Sequence, residues 1–503
     1  MSYVNKITSA NHNRLSPQYR DYADDEIKQD AFSDHPQNFT HDFPHNLAHD
    51  LTHEPANSNF YSENSPPVPL IQAIMQSPSS MNKLMALFAS LVFTIIIISF
   101  RPFDRATSPT DFTASGDTVN QVGYVAIFGI MGILLLGNVS PRRLLSFARP
   151  LWAVFLIAVL AAVMQNPSPF TAMRTVLLTL FAAFAAFSVL VLPNSKRDLK
   201  LVITITSILI LGMSYAGLVL LPDVAKHGYS AFEAQHFGLW RGPFPHKNIA
   251  GPIMSILAIF GIYVWRSGSP FLGALLTLAA FVFVLNTGSK TTSGFLPISV
   301  LIILSAGLFA SARLAVIATI LAVTTIGLLT LGTLYSDTLA GITASILDDA
   351  TFTGRLTLWR HGIITFLSNP MGEGFNNFWN TSAVLNGPLP GYADWDFREI
   401  VHGHNNYIDV LLNYGLIGGA VIFFALFVMP MVNYISIYKA GAERKLADMF
   451  MMMIVFIMLL SFMETFILHR SDPIWIFHVF AVFGLQMLAT EHRKTKQKKI
   501  RIF

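Results

Sequence analysis

From about residue 84 to residue 490 the chain alternates between long apolar runs and polar breaks. Twelve runs stand out, at about 84–100, 122–137, 151–164, 175–192, 201–221, 249–265, 271–287, 294–310, 314–334, 408–435, 447–467 and 474–489. Within them the apolar residues fall in blocks, not at the spacing of an amphipathic helix. Such blocks read as helices that cross a bilayer, because a hydrocarbon core about 30 Å thick needs roughly 20 helical residues. The short alternating segments of an outer-membrane barrel do not occur. The pattern predicts an all-α polytopic membrane protein with about twelve transmembrane helices.

The polar breaks orient these helices. With the N-terminus cytoplasmic and every run crossing, the inward connections carry Arg142, Arg143 and Arg149; Lys196, Arg197 and Lys200; Arg266; Arg313; and Lys439, Arg444 and Lys445. Short inward loops rich in Lys and Arg are the mark of the positive-inside rule. Both ends are therefore expected inside. The segments expected are a polar, disordered, histidine-rich cytoplasmic tail (1–80), helices one to nine (81–334), a large outer loop (335–407), helices ten to twelve (408–490) and a basic cytoplasmic tail (491–503). Histidines 12, 35, 41, 45, 49 and 53 are too irregularly spaced to favour a metal tract over a disordered tail. No cleavable leader is visible in the polar start, so the first apolar run is expected to act as an internal anchor.

Composition narrows the chemistry. Only 12% of the 503 residues are charged and 53% are hydrophobic, where soluble domains carry about 25% charged residues. The chain has no cysteine, which excludes disulfides, iron–sulfur clusters and thiolate zinc sites. It has no G-x-x-x-x-G-K-[ST] sequence, so any energy the reaction needs should arrive with the substrate. Nothing points to nucleic acid, and no cofactor is expected.

Polar, titratable residues gather in the long outer connections. Trp240-Arg241-Gly242-Pro243-Phe244-Pro245-His246-Lys247-Asn248 precedes an apolar run. Arg offers a planar fork, Lys a point charge and a helix start adds N–H donors, which suits phosphate capture. Anchoring at the lipid headgroups is the plainer alternative. A second stretch, Thr353-Gly354-Arg355 to Arg360-His361, repeats Leu356, Trp359, Ile363, Phe366 and Leu367 at helical spacing. By composition alone it reads as an ordinary amphipathic helix on the membrane surface. The third is His402-Gly403-His404-Asn405-Asn406-Tyr407 with Asp409, just ahead of an apolar span. Ionisable groups at that boundary are costly, which makes them functional candidates. His402-x-His404 and Asp394-Trp395-Asp396 have metal-pair spacing, but neither has further ligands to complete a site. Arg174 begins the fourth run on the same side, and Lys290 lies in the turn Thr287–Thr292. Glu464 falls inside the eleventh run near its outer end, beside His469 and Arg470, where pairing with an arginine would tie the bundle together.

Three of these stretches together resemble the O-antigen ligase and polymerase superfamily. They are the His-Lys-Asn of residues 246–248, Gly354-Arg355-x-x-x-Trp359 through Asn369-Pro370-x-Gly372-x-Gly374, and His404-Asn405 followed by Gly415-x-x-Gly418. The His-Lys-Asn form is most similar to the exopolysaccharide polymerase branch. The resemblance implies a GT-C-like, lipid-dependent glycosyltransferase of the inner membrane that needs no metal. It implies a donor oligosaccharide on undecaprenyl diphosphate, transferred at the periplasmic face. His404 would be the general base, and Arg241 and Arg355 would work with it. Lys247, Lys290 and Arg174 join them as candidates for holding the diphosphate, and His246, Asn248, Asn405, Glu464 and Arg360 as supports. Lys290 departs from the ligase pattern, where an arginine often stands. Candidate partners are the bilayer, a flippase, and chain-length or export proteins. Two rivals are a ligase acting on lipid A core or protein, and a transporter or flippase. Against the second, no internal repeat of the kind carriers show is visible, and the charges gather at one face.

Overall fold

The computed structural model describes residues 78–104, 118–229, 234–347, 349–398, 400–438, 443–469 and 472–500. The histidine-rich stretch up to residue 77, Lys439, Arg470, the side chains from 493 to 500 and residues 501–503 lie outside this description. The chain divides into two units at Pro67, and everything described belongs to the second, Val68–Phe503.

Each apolar run is a helix. We label them α1 (Pro78–Ile98), α2 (Thr118–Asn138), α3 (Pro150–Gln165), α4 (Pro169–Val191), α5 (Lys196–Leu220), α6 (Lys247–Arg266), α7 (Pro270–Asn286), α8 (Lys290–Leu308) and α9 (Ala312–Thr330). An amphipathic α10 (Arg355–Ser368) follows, then α11 (Asn406–Tyr438), α12 (Arg444–Leu460) and α13 (Pro473–Ile500). Local sequence sets several starts. Proline opens α3, α4 and α7, where its missing N–H costs nothing. Ser195 and Ser311 cap α5 and α9 by accepting from the backbone N–H of Asp198 and Leu314.

The chain is a multi-pass membrane protein. Among the described residues, nine helices are long and apolar enough to cross a membrane, against the twelve expected. The remaining three runs give α3, α7 and α12, of 16, 17 and 17 residues. Burial separates helices that hydropathy does not, because lipid and protein core are equally apolar. The α13 stretch Pro473–His492 is 83% buried and α6 is 78% buried, whereas α2 is only 22% buried. In α12 every residue from Leu446 to Leu460 is buried. Its run of methionines suits that central place, since an unbranched thioether fills irregular gaps.

The connections fall into two sets that bond among themselves. In one, Phe103 N–H donates to Pro243 O (3.0 Å), Trp240 N–H to Asn286 O (3.0 Å) and Phe375 N–H to Ala162 O (2.9 Å). In the other, Lys200 Nζ reaches Ser267 O (2.9 Å), Lys196 pairs with Glu443 (2.7 Å) and Arg266 with Asp448 (2.7 Å). The first set holds nearly all the candidate site residues. The second holds basic residues from the loops read as inward.

One helix is interrupted. At Gly415 the backbone of α11 turns to φ 67°, ψ −176°, a region that only glycine occupies readily. The strap Asn369–Phe375 crosses there: Glu373 N–H donates to Leu412 O (2.6 Å) and Leu416 N–H to Pro370 O (2.9 Å). A Cβ on Gly415 would lie 2.3 Å from Met371 O, and one on Gly372 would lie 2.5 Å from Gly415 N. The spaced glycines thus let one backbone pass through a gap in another. We expect Gly415→Ala to destabilise the protein by about 2 kcal/mol or more, from strain at that backbone angle and the clash. Gly212→Ala, where a Cβ meets nothing within 4 Å, should be near neutral. Thermal unfolding of both variants in detergent checks the contrast, and equal melting temperatures would contradict it.

Candidate active site

The site is assembled by two asparagines. Asn405 caps α11, its side-chain oxygen accepting from the N–H of Tyr407 (3.0 Å) and Ile408 (3.2 Å). Its amide also donates to Phe462 O (3.2 Å). Asn406 accepts at one oxygen from the N–H of Phe466 and Ile467, both at 3.0 Å, and donates to Ser461 Oγ (3.2 Å). Both side chains are essentially unexposed, at 0% and 1%. Together they fasten the turn after α12 to the first turn of α11. That turn is where Glu464 sits. The helix of the eleventh apolar run, α12, ends at Leu460, so Glu464 lies beyond it and not inside the span, as its place in that run had suggested.

Asp409 closes the other side. One carboxylate oxygen accepts from Trp379 Nε1 (2.9 Å), the other from Gly403 N–H (2.9 Å) and Thr465 Oγ1 (2.6 Å). Trp359 of α10 donates to Gly403 O (3.1 Å). A Cβ at Gly403 would fall 2.7 Å from Asp409 Oδ1, which explains a glycine between the two histidines. This packing draws α10 against α11, and Trp359 is buried to 0% exposure. The surface-helix reading therefore covers only part of that helix.

Within this frame His404 adopts a left-handed backbone, φ 51°. Its Nδ1 lies 3.0 Å from Glu464 Oε2. The other oxygen of Glu464 accepts from Arg355 at 3.1 Å, and Arg355 also donates to Met463 O. One carboxylate thus joins His404 to Arg355. Burial alone would raise its pKa, but Arg355 and the hydrogen bond to His404 hold it below the ordinary glutamate value. An ionised carboxylate only accepts, so in the neutral tautomer of His404 the proton belongs on Nδ1 and the lone pair on Nε2. The ring of His402 packs edge-on to that of His404, 4.2 Å between centres, and His469 lies 5.8 Å from His402. Burial, followed by the neighbouring His404 and His469, keeps His402 well below the usual histidine pKa.

The 240–248 stretch lies within electrostatic reach. His246 caps α6, with Nδ1 accepting from Asn248 N–H (3.1 Å). His227 Nε2 accepts from Lys247 N–H (3.0 Å). Burial, then His227 and His236, lower His246 to about 3, while the charge of Glu464 pulls the other way. The ring nitrogens of His227, His236 and His246 come within 4.8 Å of one another, close enough for a metal ion. Two of those rings, however, already accept a backbone N–H each. Motif reading did not single out His227 or His236, whose only signal is proximity after folding. Lys290 begins α8, and Gly251 of α6 abuts that turn, where a Cβ would lie 2.9 Å from Thr292 Oγ1. The starts of α6 and α8 are therefore neighbours.

Several expected residues do other work. Arg241 is 7% exposed. Its guanidinium donates to Val224 O (2.7 Å) and Pro245 O (2.7 Å), holding the loop it belongs to. Arg174 is exposed and hydrogen-bonds Gln121 of α2, with no contact to the His404 cluster among the described residues. Arg360 is exposed over the Tyr392 ring. Asp396 pairs with Arg398, and Asp394 accepts from Thr357 (3.1 Å), so neither is arranged as half of a metal pair.

Residues 253–423 match the family described as O-antigen ligase. That match supports the O-antigen ligase and polymerase superfamily indicated by the motifs. It includes Lys290, Arg355 and His404, and leaves Arg241, Lys247 and Glu464 outside. No protein of curated function matches the chain.

Asp409→Asn must set an amide N–H against one of three donors, so we expect a loss of about 2 kcal/mol. Protease cleavage between residues 369 and 405 should speed up in that variant. An unchanged cleavage rate would contradict the role given to Asp409.

Proposed function

We propose that the protein is a glycosyltransferase polymerising exopolysaccharide or O-antigen repeats. It would move an oligosaccharide from undecaprenyl diphosphate onto an acceptor sugar hydroxyl. The observation that carries this reading is the shared carboxylate of Glu464, which pairs with His404 at 3.0 Å and Arg355 at 3.1 Å. In the proposed step the acceptor oxygen attacks the anomeric carbon, the bond from that carbon to the phosphate oxygen breaks, and His404 Nε2 takes the hydroxyl proton. Glu464 stabilises the imidazolium that results. Base catalysis of this kind contributes about 10²–10⁴-fold.

The leaving diphosphate carries growing negative charge, which fixed cations and helix starts stabilise. Lys247 and Lys290, at the adjoining starts of α6 and α8, are the residues we assign to it. Arg355 fixes Glu464 and adds charge nearby. Arg241 acts by shaping the loop. Beside the site, an apolar groove of about 220 Å³ runs along α11 past Asn406, Tyr407, Leu411, Leu416, Phe423 and Phe427. A polyprenyl chain fits its chemistry, and it begins two residues from His404. The basic residues of the opposite connections favour a cytoplasmic location for that end, which supports a site on the periplasmic face of the inner membrane. Twelve crossings with both termini inside fit the alternation.

The family's description as O-antigen ligase favours a second reading, transfer of finished polymer to lipid A core or protein. Product length in a deletion strain separates the two. Loss of a polymerase leaves single repeats on the carrier, and loss of a ligase leaves long chains. We expect His404→Ala to insert normally and to lose polymer formation. Glu464→Gln should lose about 10–10²-fold in turnover, because the imidazole is no longer held by a charge. Polymer of normal length from His404→Ala would remove this mechanism.

A further inference from the structure

His402 has no task in the mechanism above, yet it is the nearest ring to the proposed base. Its Nδ1 is buried with no hydrogen-bond partner among the described residues. The side chain as a whole is only half-buried, like that of His404. A buried N–H without a partner is more costly than a buried lone pair, since under-satisfied acceptors are better tolerated than orphaned donors. The neutral ring is therefore best placed with its bare nitrogen at Nδ1 and its proton on Nε2. His404 has the opposite arrangement, with its proton held inward by Glu464 and its lone pair left on Nε2. The two rings touch edge-on with their centres 4.2 Å apart, so one donor and one acceptor come from neighbouring side chains.

We propose that His402 is a specificity residue of the acceptor subsite, and that the His402–His404 pair reads two neighbouring hydroxyls on the acceptor sugar. The hydroxyl that reacts gives its proton to His404 Nε2. The hydroxyl beside it accepts from His402 Nε2–H and does not react. The substrate class is then a sugar whose attacking hydroxyl has a free vicinal neighbour. Three features keep His402 in this role. The edge-on contact with His404 fixes its plane, His469 backs it at 5.8 Å, and Gly403 between the two histidines is locked by Asp409 and Trp359. This assignment rests on the glycosyl-transfer reading for the nature of the ligand, but its test can fail separately.

The test uses the full-length protein in detergent. The probe is the free repeat oligosaccharide, released by mild acid from lipid-linked repeats and so lacking the diphosphate. Its binding is measured by calorimetry. Acceptor KM and kcat are measured with the lipid-linked donor. His402→Phe keeps a ring and removes the donor, while His402→Gln places an amide N–H near the Nε2 position. We expect His402→Phe to weaken probe binding and raise the acceptor KM by about tenfold, the effect of about 1.4 kcal/mol, with kcat changed less than about threefold. We expect His402→Gln to restore both to within about threefold. Periodate, which cleaves vicinal diols, should abolish binding of the probe to the wild-type protein, an arm that needs no variant. Unchanged probe affinity in His402→Phe overturns the proposal, as does a phenylalanine-sized loss in His402→Gln or full binding of the periodate-treated probe. If wild-type protein transfers sugar while any of these holds, only the role of His402 falls. If it binds the probe as described but never transfers, the transfer reading falls instead.

Discussion

Everything proposed for this protein depends on one carboxylate shared between an imidazole and a guanidinium. Glu464 is useless as a partner for His404 unless the turn that carries it is held against the start of α11. Asn405 and Asn406 do this with hydrogen bonds in both directions, to side chains and backbone of residues 461–467. Buried amides of this kind are stabilising only when fully satisfied, and here each makes several bonds. The rigid mount matters because a base must sit within hydrogen-bond reach of its proton.

The same end of the bundle collects helix starts. α6 begins at Lys247, α8 at Lys290 and α11 at Asn406. Each brings the partial positive charge of a helix N-terminus to that face, while the first N–H groups of α6 and α11 are already taken by His227, His246, Asn405 and Ser461. Glycines make the close approach possible where backbones meet, most plainly at Gly415 and Gly251. The glycine spacing of the family-like motifs therefore has a structural cause, distinct from the chemistry of His404.

Much of this could be read in the chain before folding. Each apolar run became a helix, and His404 does stand just ahead of a helix start. Length along the sequence misled in other places. Glu464 sits in an apolar neighbourhood, so it reads as part of a span, whereas the helix ends four residues earlier at Leu460. Arg241 sits in a motif that suits phosphate, but its guanidinium meets backbone carbonyls that no local pattern reveals. Arg174 begins the right helix and points elsewhere. The pairing of His404 with Glu464 spans 60 residues of chain, and contacts at that separation are written in packing, not in spacing. His227 and His236 escaped notice for the same reason.

The absence of cysteine from the chain allows the central contact to be measured directly. Cysteines introduced by His404→Cys and Glu464→Cys would be the only thiols present, and a short bis-thiol reagent reports whether they face each other. We expect rapid, nearly complete intramolecular cross-linking of this pair, and none for His404→Cys combined with Ser267→Cys at the opposite end of α6. Failure of the first pair to link, or equal linking of both, would contradict it.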